Sequence, residues 1–238
     1  MTMQQILEFP VSSSCTFDSF VVCDGNAAAV RFARRITDES EPERLLYLHG
    51  PPGSGKTHLL RAIALELAGG NPDQAPYLSC RDVRSARSLV DRFHGAQGLV
   101  VDDLQLLPDS QDLRAALWQL FNDFHEAGRA VVLAGLHPPR MLPHLDDHLV
   151  SRLLWGLVAR VDASDDLSRR MILKKIADDR QVRVPDDVVE YIMVTTSREV
   201  GELIGFFETI YRFSLAHKRR ITLALAREAR ECVASGAS

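Results

Sequence analysis

Gly50-Pro51-Pro52-Gly53-Ser54-Gly55-Lys56-Thr57 decides how this chain is read. The apolar run Leu45-Leu46-Tyr47-Leu48 leads into it, and His58 to Leu67 follows with apolar residues at helical spacing. Strand, glycine-rich turn and helix form the setting in which G-x-x-x-x-G-K-[ST] builds a phosphate site. There the glycines let backbone N–H groups close around a β-phosphate, helped by the positive end of the helix that starts at the loop. Lys56 is placed to reach the β- and γ-phosphates, Thr57 to hold Mg²⁺ through its hydroxyl, and His58 to follow on the cofactor side. The expected cofactor is ADP or ATP with Mg²⁺. The competing reading is a tight strand-to-helix turn that holds no ligand, which leaves the complete motif in this context unexplained.

The rest of the composition narrows the class. A chain of 238 residues accommodates one sizeable domain and a smaller one. A hydrophobic content of 46% with 25% charged residues is that of a soluble globular protein. No apolar run approaches the ~20 residues of a membrane span, and the N-terminus has no basic-then-apolar leader. A cytoplasmic protein with no membrane partner is expected. The net charge of −4 argues against the whole surface being a nucleic-acid footprint. Cys15, Cys23, Cys80 and Cys232 show no C-x-x-C spacing and read as free thiols. His144 and His148 beside Asp146 and Asp147 could bracket a metal, but the segment is broken by proline and lacks further ligands.

Along the chain, residues 1–15 read as a flexible tail ending in a serine run. Within it Gln4, Leu7 and Phe9 give Q-x-x-L-x-F, a short extended peptide with one amide and two apolar anchors for a partner's pocket. Phe17, Phe20, Val21 and Val22 precede a helix-like segment beginning near Asn26, and Phe20, Val21 and Val22 are candidates for the adenine face. Gly98-Leu99-Val100-Val101-Asp102-Asp103 reads as a buried parallel strand ending in two carboxylates. Asp102 is expected to hold Mg²⁺ and Asp103 to orient or polarise the attacking water. A helix over Asp112–Ala127, a strand over Ala130–Gly135 and the segment Leu149–Val161 complete an α/β region over residues 16–163. Residues 164–238 then read as helices alone, with Ser197 as the cap of the third. The expected fold is a three-layer α/β nucleotide domain with a parallel sheet, followed by a small all-α lid.

Taken together, Thr16-Phe17-Asp18-Ser19-Phe20, the phosphate loop, Val101-Asp102-Asp103-Leu104-Gln105, Pro138-Pro139-Arg140 and Leu149-Val150-Ser151-Arg152-Leu153 resemble the DnaA/Hda-like AAA+ family over residues 16 to about 215. The layout, with a clamp-binding-like peptide at one end and no helix-turn-helix domain at the other, is similar to the stand-alone initiator homologues. The resemblance implies a regulator of DNA replication initiation that binds the DNA polymerase III sliding clamp through Gln4, Leu7 and Phe9 and acts on the ATP-bound initiator DnaA. It also implies that Arg152 is an arginine finger, reaching the γ-phosphate of a neighbouring subunit; such a finger is worth ~10³–10⁵ in rate. The sequence departs from the family at Leu136, where the initiator carries a polar sensor, and at Gly201, where it carries an arginine on the nucleotide. A chain that binds nucleotide well and hydrolyses it weakly or not at all is expected.

A homodimer would let two clamp peptides engage one ring through effective concentration. The rival reading is a DNA-binding AAA+ initiator paralogue or helicase loader, resting on the basic cluster His217-Lys218-Arg219-Arg220. A third, an autonomous ATPase, predicts turnover by the isolated chain that disappears in Asp103→Asn.

Overall fold

A computed structural model describes residues 15–142, 145 and 147–235. Five strands, β1 (Leu45–His49), β2 (Tyr77–Ser79), β3 (Gly98–Asp102), β4 (Ala130–Gly135) and β5 (Leu157–Arg160), form one sheet in the order β2-β3-β4-β1-β5. All neighbouring pairs are parallel. Every residue of β3 and β4 is buried, which is why both read as continuous apolar runs rather than as alternating strands.

The two-residue period of a strand sorts these side chains between two cores. Leu45, Tyr47, Leu99, Val101, Val131 and Leu133 face one way, onto α3 (Ala86–Arg92), α4 (Gln111–Glu126) and α5 (Asp147–Leu153). Leu46, Leu48, Val100, Val132 and Ala134 face the other way, onto α1 (Ala27–Thr37) and α2 (Lys56–Leu67). In α4 the buried set Leu113, Leu117, Leu120, Phe121 and Phe124 is the stripe its spacing predicts. Each such side chain contributes roughly 1.5–3 kcal/mol when fully buried.

After β5 the chain is helical: α6 (Asp166–Asp179), α7 (Asp186–Thr195), α8 (Val200–His217) and α9 (Leu223–Ser235). These helices share a third core built on Leu173, Val188, Ile192, Leu203, Phe207, Ile210 and Leu225, joined by Cys23 from the N-terminal side. The architecture is therefore α/β with a parallel sheet between helical layers and a helical lid after it. Asp165 caps α6, its carboxylate accepting from the Ser168 N–H at 2.9 Å. Ser197 does not cap α8, contrary to expectation. Its hydroxyl instead accepts from the Glu199 N–H at 3.2 Å, two residues on, and Glu199 occupies the cap position without a side-chain cap bond. A serine making a local turn of this kind competes with a cap, since both use the same oxygen.

From β1 the chain runs past β4 and β3 to β2 at one edge and later crosses from β4 over β1 to β5 at the other, so the connections reverse direction around β1. The crevice beyond its carboxyl end is where ligands of open parallel sheets bind. The loop that fills this crevice is residues 50–55.

Candidate nucleotide site

β1 delivers the chain to the loop, and α2 takes it away at Lys56. Gly55 adopts φ 101°, a conformation that L side chains rarely take, and a Cβ there would lie 3.1 Å from the Phe20 ring. Gly50 is required for another reason: a Cβ would sit 2.0 Å from the Val161 carbonyl oxygen, a backbone atom that cannot swing aside. Gly50→Ala is accordingly expected to lower stability by about 1–3 kcal/mol, the usual range for overpacking, visible as a lower urea midpoint. An unchanged midpoint would show that the end of β5 gives way freely.

The first N–H groups of α2 have no carbonyl one turn earlier to bond, and the helix dipole makes that end positive. Lys56 is buried, and its ammonium donates to the carbonyls of Gly50 and Pro51, both at 2.8 Å. Burial lowers its pKa, while the carboxylates of Asp102 and Asp103 work in the opposite direction. Ser54 is buried, and its hydroxyl has no hydrogen-bond partner among the described residues. A cradle of positive ends around an unsatisfied hydroxyl fits an anion of phosphate chemistry.

Asp102 is fully buried at the end of β3. It accepts from the Thr57 hydroxyl at 2.6 Å, the Tyr77 hydroxyl at 3.1 Å and the Asp103 N–H at 2.8 Å. Tyr77 is held neutral, its pKa raised first by burial and then by the adjacent Asp102 charge. The Thr57–Asp102 pair supplies a hydroxyl and a carboxylate side by side, the hard oxygen donors that suit Mg²⁺.

Asp103 follows in the left-handed region at φ 56°. Its carboxylate accepts from the Ser79 hydroxyl (3.2 Å), Arg81 Nε (3.0 Å) and Gln105 Nε2 (3.1 Å). Gln105 Oε1 in turn accepts from the Leu136 N–H at 3.1 Å, tying the end of β3 to the end of β4. In this arrangement Asp103 has its oxygens engaged by protein donors.

Both residues at the departing positions face the main cavity, whose volume is about 690 Å³. Leu136 lines it with an apolar side chain. At Gly201 a Cβ would meet nothing within 4 Å, so the space a longer side chain would use is open. The start of α8 nonetheless lies against the loop, since a Cβ on Gly53 would be 3.1 Å from the Gly201 nitrogen. Arg198 does not fill that space. It is 71% exposed, near Asp166 and the Ser164 carbonyl, and it lines a separate cavity with Arg160 and Asp162.

Phe20, Val21, Asn26, Ile172, Ile176 and Ile204 also line the cavity. Val22, expected beside them, is 46% exposed and lines no part of it. His58 lines the cavity and holds the entering segment: its Nε2 lies 3.2 Å from the Thr16 carbonyl and 3.0 Å from the Ser19 hydroxyl, with the Phe20 ring edge-on at 5.2 Å. Burial lowers the His58 pKa, against a smaller upward push from the Thr16 hydrogen bond. The unfolded chain therefore takes up the proton first as pH falls through about 6.5. The His58 contribution is complete above that value and declines below it, toward the lowered folded-state value. In urea titrations between pH 5 and 8, His58→Gln is expected to lose stability less steeply on acidification than the wild type. Equal slopes would remove His58 from the acid response.

The two sequence motifs supply loop and acids, but Ser19, Tyr77, Arg81, Gln105 and the Arg180–Glu208 ion pair also line or support the cavity and were not anticipated. The lid contribution was legible in principle, since Gly201, Ile204 and Glu208 lie on one helical face. Pro52 to His58 line the main cavity and Pro51 the smaller one, whereas Gly50 and Asp102 act from behind as supports.

Arg152 lies away from both cavities, at the end of α5 between Trp118 and Trp155. Gln4, Leu7 and Phe9 lie outside the described residues, as do His144 and Asp146 of the metal reading. Among the described residues no cluster of three His, Cys, Asp or Glu side chains is placed to hold a metal, and no helix is long and apolar enough to cross a membrane. In the basic cluster, Arg219 is paired with Glu228 at 2.6 and 3.1 Å.

A family model for the bacterial DnaA ATPase domain matches residues 11–160, and one for the Hda lid domain matches residues 166–229. The chromosomal replication initiator protein DnaA of Enterococcus faecalis is 30% identical over 226 residues, covering 90% of this chain and 51% of that protein. Its counterpart in Sphingopyxis alaskensis is 33% identical over 226 residues, covering 90% and 50%. The chain thus spans about half the length of these curated relatives. Domain III of the Thermotoga maritima initiation protein DnaA superposes with a TM-score of 0.79 at 25% identity, covering 92% of this chain and 97% of that one. AMPPCP-bound DnaA from Aquifex aeolicus gives 0.71 at 23% identity, covering 83% and 65%, a likeness of fold.

Proposed function

The chain belongs to the bacterial DnaA ATPase-domain family, and from that premise we propose that it is a nucleotide-binding AAA+ regulator of DNA replication initiation. It holds ADP or ATP with Mg²⁺ in the cavity between the phosphate loop and the lid, binds the sliding clamp through Gln4, Leu7 and Phe9, and acts on ATP-bound DnaA through Arg152. The organisation proposed is a clamp-binding tail over residues 1–15, an AAA+ domain over 16–163 and a lid over 164–238.

The observation that carries this reading is the contrast within one cavity. Lys56, Thr57 and Asp102 are arranged for phosphate and Mg²⁺, while Leu136 and Gly201 offer no polar side chain to the γ-phosphate end. Asp103, which lines the same cavity, accepts from Ser79, Arg81 and Gln105. A site that keeps its phosphate-binding groups but lacks a polar side chain at two sensor positions suits a chain whose useful event occurs on a partner's nucleotide. The nucleotide-bound state of the Aquifex aeolicus structure supports the first half, and the match to the Hda lid domain supports the second. Pairing of Arg219 with Glu228 leaves the rival DNA-binding reading a smaller unpaired cluster.

Deleting residues 1–9 tests the clamp arm. The truncated chain is expected to lose retention on DNA-loaded clamp while keeping its nucleotide affinity. Undiminished retention would remove the clamp from the proposal. A homodimer engaging two sites on the ring predicts that truncating only one subunit of the pair already lowers retention, through the lost effective concentration.

A further inference from the structure

We propose that Trp118 and Trp155 form an aromatic clamp that positions Arg152 for a partner's phosphate. This inference rests on the reading of Arg152 as a residue that acts on a neighbouring nucleotide. The guanidinium lies 5.5 Å from the Trp118 ring centroid and 5.2 Å from that of Trp155, both within cation–π range.

The scaffold for the clamp is rigid on each side. Leu149 and Leu153 are buried and pin α5, which leaves Arg152 half-buried and turned outward. Trp118 stacks on the buried Phe121 with planes 1° apart, so its indole is fixed to α4. Trp155 donates its backbone N–H to the Arg152 carbonyl at 3.0 Å. The next residue, Gly156, passes so close to β1 that a Cβ would meet Leu45 Cγ at 2.5 Å. Trp155 is therefore held at its backbone while its side chain remains 67% exposed.

What the rings do chemically follows from what they are not. Arg81, Arg160, Arg180 and Arg219 are each held by a carboxylate, whereas among the described residues no carboxylate forms an ion pair with Arg152. A carboxylate would neutralise the guanidinium and compete with an incoming phosphate. An aromatic face restrains it through the ring quadrupole and leaves its charge and its N–H donors available. Trp118 and Trp155 are thus positioning residues; Arg152 is the group that would touch the phosphate.

The test uses the full chain with DNA-loaded clamp and ATP-bound DnaA, following phosphate release. Trp155→Leu is the main variant, since its exposed side chain is the less needed for folding; Trp118→Leu is the second. Each is expected to lower the maximal rate about 10-fold or more, between the loss of a cation–π contact and the cost of misplacing a reacting group. The concentration giving half-maximal rate should stay unchanged, and Trp155→Phe, which keeps a π face, should recover part of the loss. The chain has two tryptophans and four tyrosines, so emission excited selectively at tryptophan comes from these two rings, and Arg152→Ala should change it even without a partner. Full maximal rate in both leucine variants, with Arg152→Ala inactive, would overturn the clamp and leave the role of Arg152 standing. A raised half-maximal concentration at an unchanged maximal rate would overturn it in favour of a docking role. If Arg152→Ala itself were fully active, the parent reading would fail and the clamp with it.

Discussion

Arg152→Ala is expected to leave nucleotide binding by this chain within about 2-fold of wild type while lowering its stimulation of hydrolysis on ATP-bound DnaA by ~10³–10⁵. The separation of the two effects is structural. Arg152 lines neither cavity and stands at the end of α5, whereas the proposed phosphate site is the loop with Lys56 and Thr57. A cation that meets the γ-phosphate only in the assembled complex stabilises charge that develops at the transition state, so its loss falls on rate rather than on affinity. Phosphate release under single-turnover conditions, beside a pull-down of the complex, reads both quantities. Retained stimulation in the variant would assign the activity to another group.

Lys56→Ala carries the second large effect. Its ammonium rests on the carbonyls of Gly50 and Pro51 and is partly desolvated, so a bound phosphate gives it an anionic partner where it now has two neutral ones. Losing a charge-assisted hydrogen bond of about 1.5–3 kcal/mol weakens binding by roughly 10- to 150-fold. Thermal melts make this visible. Ligand at 100 times its Kd stabilises the wild type by ~2.7 kcal/mol, or about 5–10 °C in a chain of this size. The variant at the same ligand concentration should keep only about a half to a tenth of that shift. An undiminished shift would mean that the anion sits elsewhere.

The parts of the site legible in the sequence are those whose chemistry is local. Gly50 to Thr57 are contiguous, and the strand before and helix after them follow from apolar spacing. Asp102 and Asp103 end a run whose burial on both faces is evident from its composition. Val21 and Val22 show where local reading stops: as neighbours in extended chain they point opposite ways, and nothing in the pattern tells which one meets the cavity. Groups that meet only through the fold were not legible. Gln105 joins Asp103 to the Leu136 amide because β3 and β4 are neighbours in the sheet. Arg180 meets Glu208 because α6 packs on α8, and Arg152 meets Trp118 because α4 and α5 share one face of the sheet. Ser197 was misplaced as a cap for the opposite reason, since a local turn satisfied its oxygen before the helix began.

Calorimetric titration of Mg·ADP into the purified chain tests most directly whether the loop, Lys56, Thr57 and Asp102 hold a nucleotide. Saturable one-to-one binding is expected, with ATP binding at the same site and turning over slowly without a partner. No heat of binding and no thermal protection by millimolar ADP or ATP would contradict it.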